Sequence, residues 1–355
     1  MRASSLVLAL VALAGCDGGG ASSGEAGNVR DSDVGPGDSV ASLDVGDAEA
    51  PDTTPVFTGP RTLAETGLYS DFAARTLARD VIPYDVRYQL WADGADKGRY
   101  LRIPPGTMVD TSDMDSWSFP VGTKIWKEFR KDGQVLETRY LEKLVAKDGA
   151  DSWLKVSYAW NAEHTTAEAV PDGIVGALGT TWDIPDQDAC RQCHEGVRDV
   201  AIGISAIQLA SATGKGSLSD FVARGLLSAP PSAEPQVPGA GLVQDALGYL
   251  HGNCGHCHND TSWLASRRTL RLRLRVTDVT PEKTPTYLTA IDAPMTHQWD
   301  GGANVGIAPG DPAKSQIYYR INRRGDGYQM PPIGSKVIDA SGAATIRAWI
   351  VALKP

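Results

Sequence analysis

The sequence predicts an α+β multidomain chain: an antiparallel β-sandwich-like domain at the front, followed by an α-helical region that carries a small β insertion. Three observations support this. Between residues 87 and 160, β-branched and aromatic runs alternate with polar residues and are separated by turn signals. Beyond residue 186 the apolar residues recur at helical spacing instead. Within that helical part, Leu270, Leu272, Leu274 and Val276 alternate with Arg271, Arg273 and Arg275, a strand signature among helices.

Residues 1–15 read as a signal peptide, with Arg2 ahead of an apolar core from Leu6 to Leu13 that is too short to span a bilayer. Leu13-Ala14-Gly15-Cys16 resembles a bacterial lipobox, which implies a lipoprotein cleaved before Cys16 and anchored to a membrane by acyl chains on that residue. An ordinary secretory signal is the plainer alternative. Residues 17–60 hold nine acids against the single base Arg30 and are rich in Gly, Ser and Pro, so residues 16–60 are expected to form a disordered acidic tether. Most of the net charge of −9 lies in that tether. The remainder is close to neutral, without the basic face that nucleic acid requires.

Residues 61–185 form the β-rich domain. Strands are expected over Arg87–Trp91, Arg99–Ile103, Trp117–Arg130, Val135–Val145 and Trp153–Trp160, with turns at Pro104-Pro105-Gly106 and Lys131-Asp132-Gly133. The two faces of the longest runs are not cleanly polar and apolar. Trp91, Trp117, Trp126, Trp153 and Trp160 fit a core better than a ligand platform. Asp93, Asp96 and His164 show no metal spacing.

Two pentapeptides carry the chemistry: Cys190-Arg191-Gln192-Cys193-His194 and Cys254-Gly255-His256-Cys257-His258. Two thiols three positions apart, followed at once by histidine, let both vinyl groups of a porphyrin be captured as thioethers while the imidazole reaches iron. The expected cofactor is therefore heme c, two copies covalently attached at Cys190 and Cys193 and at Cys254 and Cys257, with His194 and His258 as iron ligands. The five cysteines are thereby all assigned, Cys16 included, and none remains for a disulfide. A four-thiolate zinc site would leave both histidines without a purpose, and a thioredoxin-like pair lacks its βαβ context.

Residues 186–237 form the first attachment segment, with short helices over Ile202–Leu209 and Leu218–Leu227, Ser217 capping the second. The distal ligand of its iron is open among His251, His256, Met295, His297, His164, Met108 and Met114, or a vacant position. His251, three residues before the second motif, is favoured.

Residues 238–355 resemble the class I cytochrome c family. Val243, Ala246, Leu247 and Leu250 stripe a helix ahead of Cys254, and Ile346, Trp349, Ile350 and Leu353 stripe another at the end of the chain. The resemblance implies that these helices cross, with Gly248 and Trp349 at the contact. It also implies that Met330, held by Pro331-Pro332, is the distal thioether of the second heme. Cys254 and Met330 are farther apart than a minimal domain needs, which is where the β insertion over residues 270–276 belongs. Its arginines would meet heme propionates, an acidic partner or solvent. Gly310-Asp311-Pro312 starts a short helix with Asp311 as cap. From about residue 61 onward the chain is similar to bacterial diheme cytochrome lipoproteins, sharing the β-rich front, Ile184-Pro185-Asp186-Gln187, Gly310-Asp311-Pro312 and Met330-Pro331-Pro332.

The resemblance implies heme binding and single-electron transfer between redox partner proteins on the periplasmic or surface side of the bacterial cell envelope. The rival expectation is an enzyme, a diheme peroxidase or oxidase with an open iron at the first heme. The motifs lie 64 residues apart, closer than two full heme domains would allow.

Overall fold

The computed structural model describes residues 57–210, 214–295 and 302–354, which belong to one compact unit. The signal peptide, Cys16, most of the tether and His297 lie outside the described residues. The fold begins before residue 61. Phe57 packs on an aromatic cluster, and the Pro60 carbonyl accepts a hydrogen bond from Tyr158 Oη at 2.9 Å.

The chain is mixed α and β, and its sheets are antiparallel. Strands β1 (Tyr69–Asp71) and β2 (Thr76–Leu77) pair with each other. Strands β3 (Ile82–Pro83), β4 (Asp96–Arg102), β5 (Lys124–Lys131), β6 (Gln134–Lys143), β7 (Trp153–Trp160) and β8 (Ala167–Ala169) form a six-stranded sheet in sequence order. The β5–β6 hairpin is closed by Asp132 and Gly133, both at positive φ (51° and 79°), the backbone that an Asp-Gly pair supplies at low cost.

The sheet has two different faces. On one, Trp126, Tyr140 and Tyr158 are fully buried beneath Leu63, Leu68 and the ring of Tyr69. On the other, Leu101, Ile125 and Leu141 join a core with the helical segments after residue 200, while Phe129 packs on Trp182 at 5.5 Å. Between those apolar ends lies a polar strip.

Among the described residues seven α-helices follow: α1 (Gln187–His194), α2 (Ala206–Leu209), α3 (Leu218–Ala223), α4 (Leu242–Asn253), α5 (Pro285–Ala290), α6 (Gln316–Ile321) and α7 (Ala340–Ala352). Ser217 caps α3 as expected, and Asp311 accepts from the amides of Ala313 and Lys314. Helix α3 ends short of the expected Leu227, where Gly225 takes φ 65°. Helices α4, α6 and α7 share a core built on Leu250, Ile317, Ile346, Trp349 and Ile350.

Three expectations are corrected. Arg87–Trp91 is not a strand, because its amides are taken by α2 and α4: Arg87 N–H and Tyr88 N–H donate to the carbonyl and side chain of Gln208, and Trp91 N–H donates to Asn253 Oδ1. Residues 270–276 keep the alternation, with Leu272 and Leu274 buried, but form no ladder. Leu272 N–H donates to the His258 carbonyl and Leu274 N–H to the His251 ring. The third concerns the contact between α4 and α7, which does not use Gly248 against Trp349. A Cβ on Gly248 would meet the Tyr88 ring at 1.9 Å, whereas one on Gly342 of α7 would meet the Tyr249 ring of α4 at 2.1 Å. The glycine and the aromatic residue have exchanged helices.

Candidate functional site

Helix α1 carries the first motif. Asp186 caps it by accepting from Ala189 N–H at 2.7 Å, and Gln187 ties it to β7 through the Lys155 carbonyl. The Ile184-Pro185-Asp186-Gln187 element is thus the device that docks this helix on the sheet. His194, at its end, donates from Nδ1 to the Val200 carbonyl at 2.5 Å. That bond leaves Nε2 with the lone pair, the form that binds a metal.

Val200 is a β-branched residue at φ 53°, a conformation costing on the order of 1–3 kcal/mol. Its neighbour Asp199 holds it there. Asp199 is buried, pairs with Lys143 at 2.5 Å, and accepts from Trp153 Nε1 and the Phe119 amide. The sheet therefore aims the carbonyl that orients His194.

The second motif begins at the C-terminal end of α4 and turns back on itself, His258 N–H donating to the Cys254 carbonyl. His258 Nδ1 is buried without a hydrogen-bond partner, and the backbone of Leu270 lies close to the ring. Met330 is half-buried, and its N–H donates to the carbonyl of Arg320, whose charge also reaches His258. The following loop is gripped from the front half: Asp93 accepts from the amides of Lys336 and Val337, and Asp183 pairs with Lys336 at 2.6 Å.

The two motifs touch. A Cβ on Gly196 would lie 1.9 Å from the His256 carbonyl and 3.4 Å from the Cys257 Cα. Asn259 Nδ2 bridges the join, donating to the carbonyls of Gly196 (2.7 Å), Gly255 (2.9 Å) and His256 (2.9 Å).

Cys190, Cys193 and His194 open onto a cavity of about 670 Å³, within the usual range of roughly 300–1,000 Å³ for small-molecule and cofactor sites. Its walls combine the sheet face (Lys127, Phe129, Arg139), the loop around Trp91 and the Pro331-Pro332 segment. Of the described candidates for a distal ligand, only His256 lines it. The His256 Nδ1 is buried and has no partner. His251 lines a neighbouring cavity of about 50 Å³, which His256 also lines, with its Nδ1 accepting from Leu274 N–H at 3.0 Å and its proton therefore on Nε2. Met108 is exposed, Met114 packs on the core beside the sheet, and Met295 is buried beside Gly306.

Burial, ahead of neighbouring charge, sets the titration of the site. It pushes His194 well below the usual imidazole range, His251 to about 3, and His256 and His258 to about 4, so all four rings are neutral donors. The four thiols are free, and burial pushes Cys190 up to about 11 and Cys254 and Cys257 up to about 12. Desolvation likewise brings Lys127 down to about 7 and Lys97 to about 6. Among the described residues no three His, Cys, Asp or Glu are grouped to hold a bare metal ion, and no helix is long and apolar enough to cross a membrane.

A porphyrin fits this donor set: paired thiols, an imidazole with fixed tautomer, an orphaned second imidazole and an apolar cavity edged by cations. Sequence reasoning missed Lys97, Arg99, Lys127 and Arg139. Their signal was the mixed polarity of the strand faces. Comparison with protein-family models, with curated proteins and with solved structures finds no match.

Proposed function

We propose that this chain is a membrane-anchored diheme c-type cytochrome that passes single electrons between redox partner proteins at the bacterial cell envelope. The observation that carries the reading is the contact between the two Cys-x-x-Cys-His motifs across Gly196 and Asn259, which brings two attachment points into one fold. Two bound hemes would supply one-electron iron chemistry. Cys190 and Cys193 hold the first, with His194 as its axial imidazole; Cys254, Cys257 and His258 hold the second, with Met330 as its distal ligand. Cys16 supplies the lipid anchor.

On this reading α4 and α7 are the crossing helices of a class I-like domain, and the β-rich front, a sheet with the β1–β2 hairpin over one face, is the sandwich-like half. For the distal position of the first heme, His256 is favoured over His251, because it lines the cavity with His194 and its Nδ1 has no other partner. A closed position of this kind favours a relay over a peroxidase or oxidase.

The test is the mass and spectrum of mature protein from a host that matures c-type cytochromes. Two porphyrin additions and a strong Soret band are expected; a chain without them sinks the proposal. His256→Ala should convert one heme to high spin and open it to cyanide, while His251→Ala should leave both low spin.

A further inference from the structure

The sheet register places Arg99 opposite Lys127 and Lys127 opposite Arg139, so three cations stand side by side on three adjacent strands. Lys97 follows in the next row on the same face, opposite Phe129. Like charges directly opposite one another destabilise a sheet, and this row faces inward rather than to solvent. All four side chains line the large cavity, together with Cys190, Cys193 and His194.

Internal compensation is incomplete. Arg139 pairs with the buried Glu137 at 2.6 Å, and Arg99 reaches Asp85, whose side chain is 69% exposed. The Lys127 ammonium donates to the Ile202 carbonyl at 2.8 Å and that of Lys97 to the Leu90 carbonyl. Neither lysine has a carboxylate within ion-pair distance among the described residues. The acids that do line the cavity, Asp93 and Asp183, are spent on Lys336 and Val337. Burying the two lysines without a carboxylate partner disfavours their charged form, and an anion that meets them restores it.

Much of the remaining lining is apolar, including Leu90, Phe129, Leu141, Trp182 and Ile333, and the polar residues Gln208, Arg324, Gln329 and Ser335 lie among them. The ligand that satisfies both features has a flat apolar body ending in carboxylates. We propose that Arg99, Lys127 and Arg139, with Lys97, form a carboxylate-binding wall that takes the propionates of the porphyrin attached at Cys190 and Cys193. This rests on the heme reading above, and it assigns to the β-rich half the role of closing the first cofactor site. The arginines over residues 271–275 are otherwise engaged: Arg271 and Arg275 pair with Asp260, and Arg273 donates to the Asp115 carbonyl.

The experiment is resonance Raman spectroscopy of the propionate bending bands of the full-length holoprotein, after mass spectrometry has confirmed two porphyrins. Lys127→Gln and Arg139→Gln should each shift one band, Lys127→Arg should restore the wild-type position, and Arg271→Gln should leave it unmoved. Circular dichroism checks that each variant is folded, and Lys127→Arg keeps the test valid should Lys127→Gln fold poorly. Two porphyrins with unmoved bands in both glutamine variants overturn the wall while leaving the heme reading intact. A saturable Soret change on titrating wild type with acetate, lost in Lys127→Gln, overturns it in favour of a solution anion. A mass with no porphyrin overturns the heme reading and the wall together.

Discussion

The two pentapeptide motifs are alike in sequence and differ in how their surroundings are assembled. The first sits on an eight-residue helix, and its cavity is walled by residues from Val86 to Lys336. The second grows from the end of a twelve-residue helix whose core partners, α6 and α7, follow it in sequence. His194 is oriented by a full hydrogen bond to a strained, anchored carbonyl; His258 only lies against Leu270 in a segment without a ladder. The five-residue pattern is the same in both, while distant chain defines how firmly each imidazole is held and what charge surrounds it.

The comparison breaks first at Asp199. Asp199→Ala would leave the buried Lys143 ammonium only the longer contact with Asp148 at 3.7 Å and release the loop that presents Val200, at a cost of about 3 kcal/mol. Chemical denaturation should register that loss, and the first motif's spectrum should be disturbed more than the second's. An equal disturbance at both would mean that the two sites are not separately built.

Gly196→Ala probes the join itself. With the His256 carbonyl in the way of a Cβ, overpacking should cost about 1–3 kcal/mol and slow any exchange of electrons between the two sites, measured by flash reduction. Asp93→Ala tests whether the second site is wholly local. Losing the hydrogen bonds of two amides at an exposed position should cost about 1–2 kcal/mol and weaken the charge-transfer band that would report methionine ligation, with little change at the first site.

The smallest expected effect is the pH dependence of the neighbouring clamp. Its bond to Lys336 holds Asp183 below the usual carboxylate range. A depressed acid contributes stability above its unfolded value near ~4 and loses it as pH falls through the folded value. Asp183→Asn should therefore differ from wild type at neutral pH and converge with it in an acid-unfolding series; divergence at low pH would contradict the assignment.

Much of the framework was legible from local pattern. β6 and β7 follow from alternation, the β5–β6 turn from Asp132-Gly133, and α4 and α7 from their apolar stripes. What failed depended on partners far away in sequence. Arg87–Trp91 and residues 270–276 have the composition of strands, yet their amides are satisfied by helix side chains and by a histidine ring, which no local rule reveals. The cation row was hidden for the same reason: Arg99, Lys127 and Arg139 are ordinary strand residues until register puts them shoulder to shoulder. The preference for His256 as the proposed distal ligand, where the sequence favoured His251, rests on which ring nitrogen already has a partner, a matter of three-dimensional contact alone.

The breadth of chain that walls the first cavity carries a consequence for biogenesis. Its final wall, the stretch around Pro332, emerges some 140 residues after Cys193. On the proposed reading, porphyrin attachment at Cys190 and Cys193, whose thiols are only partly exposed in the finished fold, would be unobstructed until that wall closes over the sheet's inner face.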